Sequence, residues 1–438
     1  MNRVVPLTLA VVLLAWGDYA RCEVLVYDRD YPYIHYSEPP VHNDVARLQQ
    51  RLDNGSLQLK PTAEHGYLDS VLAALHINPD SQTLVFSKTS LQVDAISAAT
   101  PRAVYFNDDT YVAWVQQTGL LEIVTMDADR GPVFYTLSAA DRAPRLERQT
   151  LRCLTCHDTF GEMGGGVPHF LFESTYERDG NKLIPDAVAR ETTNETPIAQ
   201  RWGGWYVTGK DGGALHLGNI QPPPSRLPVN IDKVRRGSLQ SLDSLLDTAP
   251  YLRATSDIVA LLVLEHQVTV HNEIIHANFK SRMMLNQEQP DREAGSVHWS
   301  QLTPTAQARL QLMLRPLVDA LLMARAAPLP AKVAGSNGYA SWFQSQGVTD
   351  QRGRSLRQLD LGTRVFRYPL SFLIYSDGFD ALPLCAREHV YAQLAQILRA
   401  PNPAAPYSSR SAQDRQAAFD ILVATKPDFA RAVRTLND

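Results

Sequence analysis

Cys153-Leu154-Thr155-Cys156-His157 is the part of this 438-residue chain whose residue types and spacing most directly specify chemistry. Two thiols at this separation meet the two vinyl groups along one porphyrin edge, and the adjacent imidazole reaches the iron. The pattern reads as a covalent haem attachment site with His157 as axial metal ligand. Four Cys and twelve His placed at random would produce it on the order of once in a thousand sequences. A disulfide loop, a redox dithiol and half a zinc site are the competing chemistries. A redox dithiol belongs at a helix start in a thioredoxin-like βαβ unit, which the flanking sequence does not predict, and zinc needs a second Cys/His pair at similar spacing. The motif occurs once, so one covalently attached haem c is expected.

Three residues are candidates for the other axial position. Met163 follows His157 by six residues, a span of at most roughly 20 Å that is tight for a path around the porphyrin edge. His169, beyond Gly164-Gly165-Gly166, has a reach of roughly 40 Å. His216 lies in residues 201–220, which read as a β-hairpin with a Gly-rich turn, Leu215 and Leu217 facing one way and His216 the other. Trp202 and Trp205 would wall an apolar pocket beside it. His216 is therefore the first choice as distal metal ligand or pocket residue, with the two tryptophans as cofactor contacts. The alternative for each histidine is a hydrogen-bonded core or surface role. No Met lies between Met163 and Met283 to act as the downstream ligand of a small electron carrier.

Two polar clusters accompany these residues. Thr255-Ser256-Asp257 predicts the start of a buried helix on which Glu265, Thr269, Asn272 and His276 form one stripe, while His266 and His271 diverge by about 140° and are no zinc pair. The stripe reads as a proton relay, a support for the haem or a satisfied polar seam between helices. Residues 101–115 predict a strand, an Asn-Asp-Asp turn and a second strand, with Asp108 and Asp109 at the tip.

The elements positioning these residues belong to an α+β fold. Residues 23–150 alternate short apolar runs with turns and include one helical segment at 67–75, a mixed α/β body. A short helix is expected at 138–151. Residues 151–230 form a β-hairpin-rich haem segment ending near Pro222-Pro223-Pro224, and 231–438 are mainly helical, with periodicity at 303–326, 386–398 and 411–424. With 44% apolar and 20% charged residues and a net charge of −4, the composition is globular and has no basic run for nucleic acid or an anionic membrane. Gly-rich phosphate loops and Gly-x-Ser-x-Gly elbows are missing, which removes nucleotide transfer and serine hydrolysis from consideration.

Residues 1–22 read as a secretory signal: Arg3, an apolar stretch from Val4 to Trp16 too short for a spanning helix, and small-residue cleavage points after Gly17 or Cys22. No transmembrane segment is expected in the mature chain. If Cys22 survives it can pair with Cys385 in an oxidising compartment; otherwise Cys385 is a lone buried thiol.

The chain resembles a family of exported bacterial cytochrome c domain-containing proteins, on residues 84–92, 105–109, Cys153 to His157, 201–209 and 373–377. The resemblance implies haem binding by Cys153, Cys156 and His157 and a role in electron transfer. The expectation is a periplasmic monohaem c-type cytochrome with a redox partner protein. The rival is a haem-dependent oxidoreductase, peroxidase- or oxygenase-like, with an open distal site, which better accounts for some 400 residues around one haem. A haem-based sensor lacks a recognisable output domain.

Overall fold

Alternating apolar residues between Thr83 and Gln149 build an antiparallel meander whose two faces differ in burial. The strands are β1 (Thr83–Val85), β2 (Arg102–Phe106), β3 (Thr110–Trp114), β4 (Leu120–Asp127), β5 (Gly131–Ser138) and β6 (Glu147–Gln149), paired in that order. The computed structural model describes residues 30, 33–140, 143–158, 166–175, 177–178, 182–183, 190–220, 237–290 and 292–437.

Cross-strand register puts Ala103, Trp114, Leu121 and Leu137 side by side, all at most 3% exposed. This closed face carries helices α1 (Asp44–Asp53) and α2 (Leu68–Ala74). Asn43 caps α1 by accepting from the Ala46 N–H at 2.9 Å, and its amide Nδ2 donates to the Tyr135 hydroxyl at 3.1 Å, tying the helix start to β5. On the other face Val104, Ala113, Glu122 and Thr136 form a matching row of which every member is only half-buried.

α3 (Leu154–His157) is a single turn whose His157 rests on Phe134 of that half-open face. Two-residue ladders follow, β7 (Glu173–Ser174) with β10 (Arg190–Glu191) and β8 (Glu177–Arg178) with β9 (Lys182–Leu183). The C-terminal half is helical: α4 (Ile258–Glu288), α5 (Pro304–Leu321), α6 (Tyr339–Ser345), α7 (Asp377–Asp380), α8 (Leu384–Arg399), α9 (Ala412–Thr425) and α10 (Pro427–Asn437). The fold is α+β.

α4 has no single apolar face because most of its length is buried on all sides, its polar residues forming a seam inside the fold. It is long and apolar enough to cross a membrane, yet 89% of its most apolar window is buried within the fold. Asp257 caps it, Oδ1 accepting from the Val259 and Ala260 N–H groups at 2.9 and 3.1 Å. At the β4–β5 turn Gly131 has φ +72°, and a Cβ there would stand 2.9 Å from Ile275 Cγ1; the bare backbone lets α4 press onto the sheet.

The strand–turn–strand at 101–115 and the helices at 67–75, 303–326, 386–398 and 411–424 form near their expected limits, as do the α4 start and its cap. Two expectations are corrected. Among the described residues of 138–151 there is no helix: β5 runs through Ser138 and β6 returns beside it, and Pro144 lacks the N–H and clashes with the preceding turn that a helix requires. Residues 201–220 are no regular hairpin. Positive φ at Trp202 (+70°), Gly204 (+80°), Gly209 (+122°) and Asn219 (+65°) breaks the extended run into turns, joined by bonds such as Leu217 N–H to Arg201 O at 2.9 Å. The signal segment, Cys22, Met163 and the 222–224 prolines lie outside the described residues.

Candidate haem-attachment site

The Cys153–His157 motif closes one helical turn, with the Cys156 and His157 N–H groups both donating to Cys153 O at 3.2 and 3.1 Å. Three residues apart on a turn, the two cysteines share a face. Both are free thiols; Cys153 is half-buried and Cys156 exposed. Burial, reinforced by the Glu122 carboxylate, pushes the Cys153 thiol up to about 11. Cys385 is buried in α8, where burial likewise pushes its thiol up to about 11. Both remain thiols at neutral pH.

His157 is held from two directions. Its ring lies against Phe134 of β5 at 4.7 Å between centroids, and its Nδ1 donates to the His169 carbonyl at 3.1 Å. An N–H bond at Nδ1 selects the tautomer whose Nε2 carries a free lone pair, the arrangement a metal-bound imidazole needs. Nε2 itself makes no hydrogen bond among the described residues. Burial lowers the ring's pKa to about 4, so it is neutral and able to donate electrons at physiological pH.

His169 is fixed by its own backbone. Its N–H donates to His157 O at 3.0 Å and its Nδ1 to the same oxygen at 3.2 Å. On α4 the Asn272 amide clamps the next residue, accepting from the Phe170 N–H at 2.8 Å and donating to Phe170 O at 3.0 Å. The chain His157–His169–Phe170–Asn272 thus anchors the attachment motif to the central helix. His169 therefore stands beside His157, the two rings 6.5 Å apart between centroids.

His216 is placed elsewhere, with Trp202 and the Asp211 turn. Its Nδ1 accepts from the Gly218 N–H at 3.1 Å, its Nε2 faces Asp211 Oδ2 at 3.5 Å, and its ring meets Trp202 edge-on at 5.2 Å. Trp205 stacks on Phe172 at 4.5 Å and donates Nε1–H to Glu173 O at 2.8 Å. The faces expected to wall a cofactor slot are filled by protein. The structure brings Cys153, Cys156, His157 and His169 together and sets His216, Trp202 and Trp205 in a separate hydrogen-bonded knot.

The α4 stripe is a polar seam. Arg201 Nη1 meets Glu265 Oε2 at 2.6 Å, Thr269 bonds back to Glu265 O at 2.9 Å, Asn272 clamps Phe170, and His276 faces His169 and Lys280. His266 sits between the Asn194 amide at 3.1 Å and Ser371 Oγ at 2.8 Å, while His271 Nε2 donates to Asp108 O at 2.8 Å. Among the described residues no three His, Cys, Asp or Glu side chains converge on a metal-sized space. Sequence reasoning missed the Asn272 clamp and the His169 carbonyl, because only folding brings to His157 the backbone atom that orients its ring.

Burial gives these histidines a pH signature. His266 is lowered to about 3, first by desolvation and then by neighbouring His271, so it stays neutral in the fold while its unfolded counterpart protonates near 6.5. A depressed histidine pKa gives stability that is complete above the unfolded pKa and drains away as pH falls toward the folded one. Urea unfolding should weaken from about pH 6.5 down toward pH 4, and in His266→Gln the slope of stability against pH should be shallower by about 1.4 kcal/mol per pH unit. An unchanged slope would contradict a buried neutral His266.

No protein-family model, no curated protein and no solved structure matches this chain.

Proposed function

We propose that the chain is an exported c-type cytochrome, carrying one haem on Cys153 and Cys156 with His157 as its axial ligand and exchanging electrons with a redox partner protein in the periplasm. The observation that carries this reading is the Nδ1–H bond from His157 to the His169 carbonyl, which leaves Nε2 unspent beside two free thiols on one helical turn. When bound, haem supplies a one-electron iron couple. The chain's own contribution is to hold His157 rigidly through Phe134, His169 and Asn272, and to offer the half-covered row Val104, Ala113, Glu122 and Thr136 on the same sheet face. The resemblance to exported cytochrome c domain-containing proteins supports the same cofactor and compartment.

A second reading, a haem-dependent oxidoreductase with an accessible iron, is favoured by one specific observation. His216, the first choice for the opposite position, has both ring nitrogens engaged, Nδ1 by the Gly218 N–H and Nε2 by Asp211, so it does not stand ready as the opposite ligand. The absorption spectrum of the exported protein tests both readings. Alkaline pyridine should give the reduced spectrum of one haem with two thioether links per chain, and its absence would sink the cytochrome proposal. Addition of CO to the reduced protein separates the two: an unchanged spectrum favours the electron carrier, a shifted one the oxidoreductase.

A further inference from the structure

We propose that a cavity of about 340 Å³ between α4, the segment following α5 and the loops around Thr363 and Ser409 binds a small organic carboxylate with an apolar body. None of its lining residues belongs to the Cys153–His157 motif.

Three guanidiniums, of Arg201, Arg364 and Arg410, line the cavity, and no carboxylate does. The acids that balance the first two sit behind them. Glu265 holds Arg201 at 2.6 Å, and Asp360 and Asp414 hold Arg364 at 3.3 and 2.8 Å. Arg410 is different: among the described residues its guanidinium has no hydrogen-bond or ion-pair partner. Burial and the positive charge of Arg364 lower its pKa, against the weaker pull of Asp414 and Asp360. A half-buried cation in such surroundings is short of an anion, and a carboxylate is the planar partner whose two oxygens match the guanidinium fork.

The remaining wall sets the rest of the ligand. Leu262, Met323, Ala326, Leu329, Val365 and Phe366 present apolar surface, and His266 is neutral with both ring nitrogens spent on Asn194 and Ser371. A volume near the lower end of the roughly 300–1,000 Å³ range of small-molecule pockets suits a short acyl or aryl acid. Inorganic phosphate would satisfy the guanidiniums and waste the apolar wall. A neutral alcohol would do the reverse.

The test is calorimetric titration of hexanoate into the full chain as purified, with hexanol and inorganic phosphate titrated separately. Saturable hexanoate binding is expected, weakened about tenfold or more in Arg410→Gln and lost in Ala326→Phe, whose ring fills the apolar end. Hexanol and phosphate should each bind at least about tenfold more weakly than hexanoate. Both variants should retain the wild-type midpoint in urea. Absence of saturable hexanoate binding at about 10 mM, affinity for phosphate equal to that for hexanoate, or hexanoate binding indifferent to both substitutions overturns the proposal.

Discussion

On the proposed attachment, replacing Cys153 and Cys156 together by Ser is expected to leave a protein from which acid and organic solvent extract all haem, whereas the native chain is expected to retain it through a denaturing gel. The expectation follows from what the two thiols do and do not do in the fold. Neither is in a disulfide; Cys156 is exposed and Cys153 half-buried, so trimming sulfur to oxygen removes little packing. The stability change should stay within about 1 kcal/mol, and far-UV circular dichroism should match the parent. Loss of haem without loss of fold separates a role in attachment from a structural one. Cys385→Ala supplies the control: it lies in α8, remote from the motif, and should keep full haem staining. Staining undiminished in the double variant would remove the basis for a covalent cofactor.

The same comparison explains what the sequence could and could not convey. The Cys153–His157 motif is read locally, because two thiols and an imidazole within one turn are what haem attachment would demand, and the fold places all three on one helical turn. Local signals also suffice for the 107–109 turn, for the capping aspartate of α4 and for the amphipathic helices of the C-terminal half, where side chains within one segment decide the outcome. The region around Trp202 and His216 failed that test. Its glycines and tryptophans suggested a flat slot, but positive φ at Trp202 and Asn219 turns the chain inward, and Trp205 spends its face on Phe172. Nothing within residues 201–220 announces that partner. Likewise Asn272 is more than a hundred residues from the backbone it clamps, and a lone asparagine on a helix stripe carries no sign of its target. Local turns, caps and helices were legible; long-range pairing of polar groups was not.

Arg201→Met will destabilise the protein by about 3–5 kcal/mol, far more than the loss of an exposed ion pair. Arg201 and Glu265 are 4% and 0% exposed at the side chain, and Glu265 lies in the buried part of α4. Burial raises the Glu265 pKa more than Arg201 lowers it, so desolvation outweighs attraction at this carboxylate. The Trp202 indole N–H is turned toward the carboxylate without closing a hydrogen bond. Removing Arg201 alone leaves Glu265 charged in a dry interior at neutral pH, or forces it to take up a proton. The single variant should accordingly recover part of its stability as pH falls toward the unfolded glutamate value, in the opposite direction to the histidine effect. Arg201→Met combined with Glu265→Leu removes both charges, and most of the loss should return. The return is incomplete because Arg201 also donates to Thr196 O at 2.7 Å and Asn194 O at 3.0 Å, bonds worth about 1 kcal/mol each. Urea unfolding of the two singles and the double measures the coupling directly. A double variant no more stable than Arg201→Met would mean that these backbone contacts, and not the charge pair, hold the 194–219 segment to the central helix.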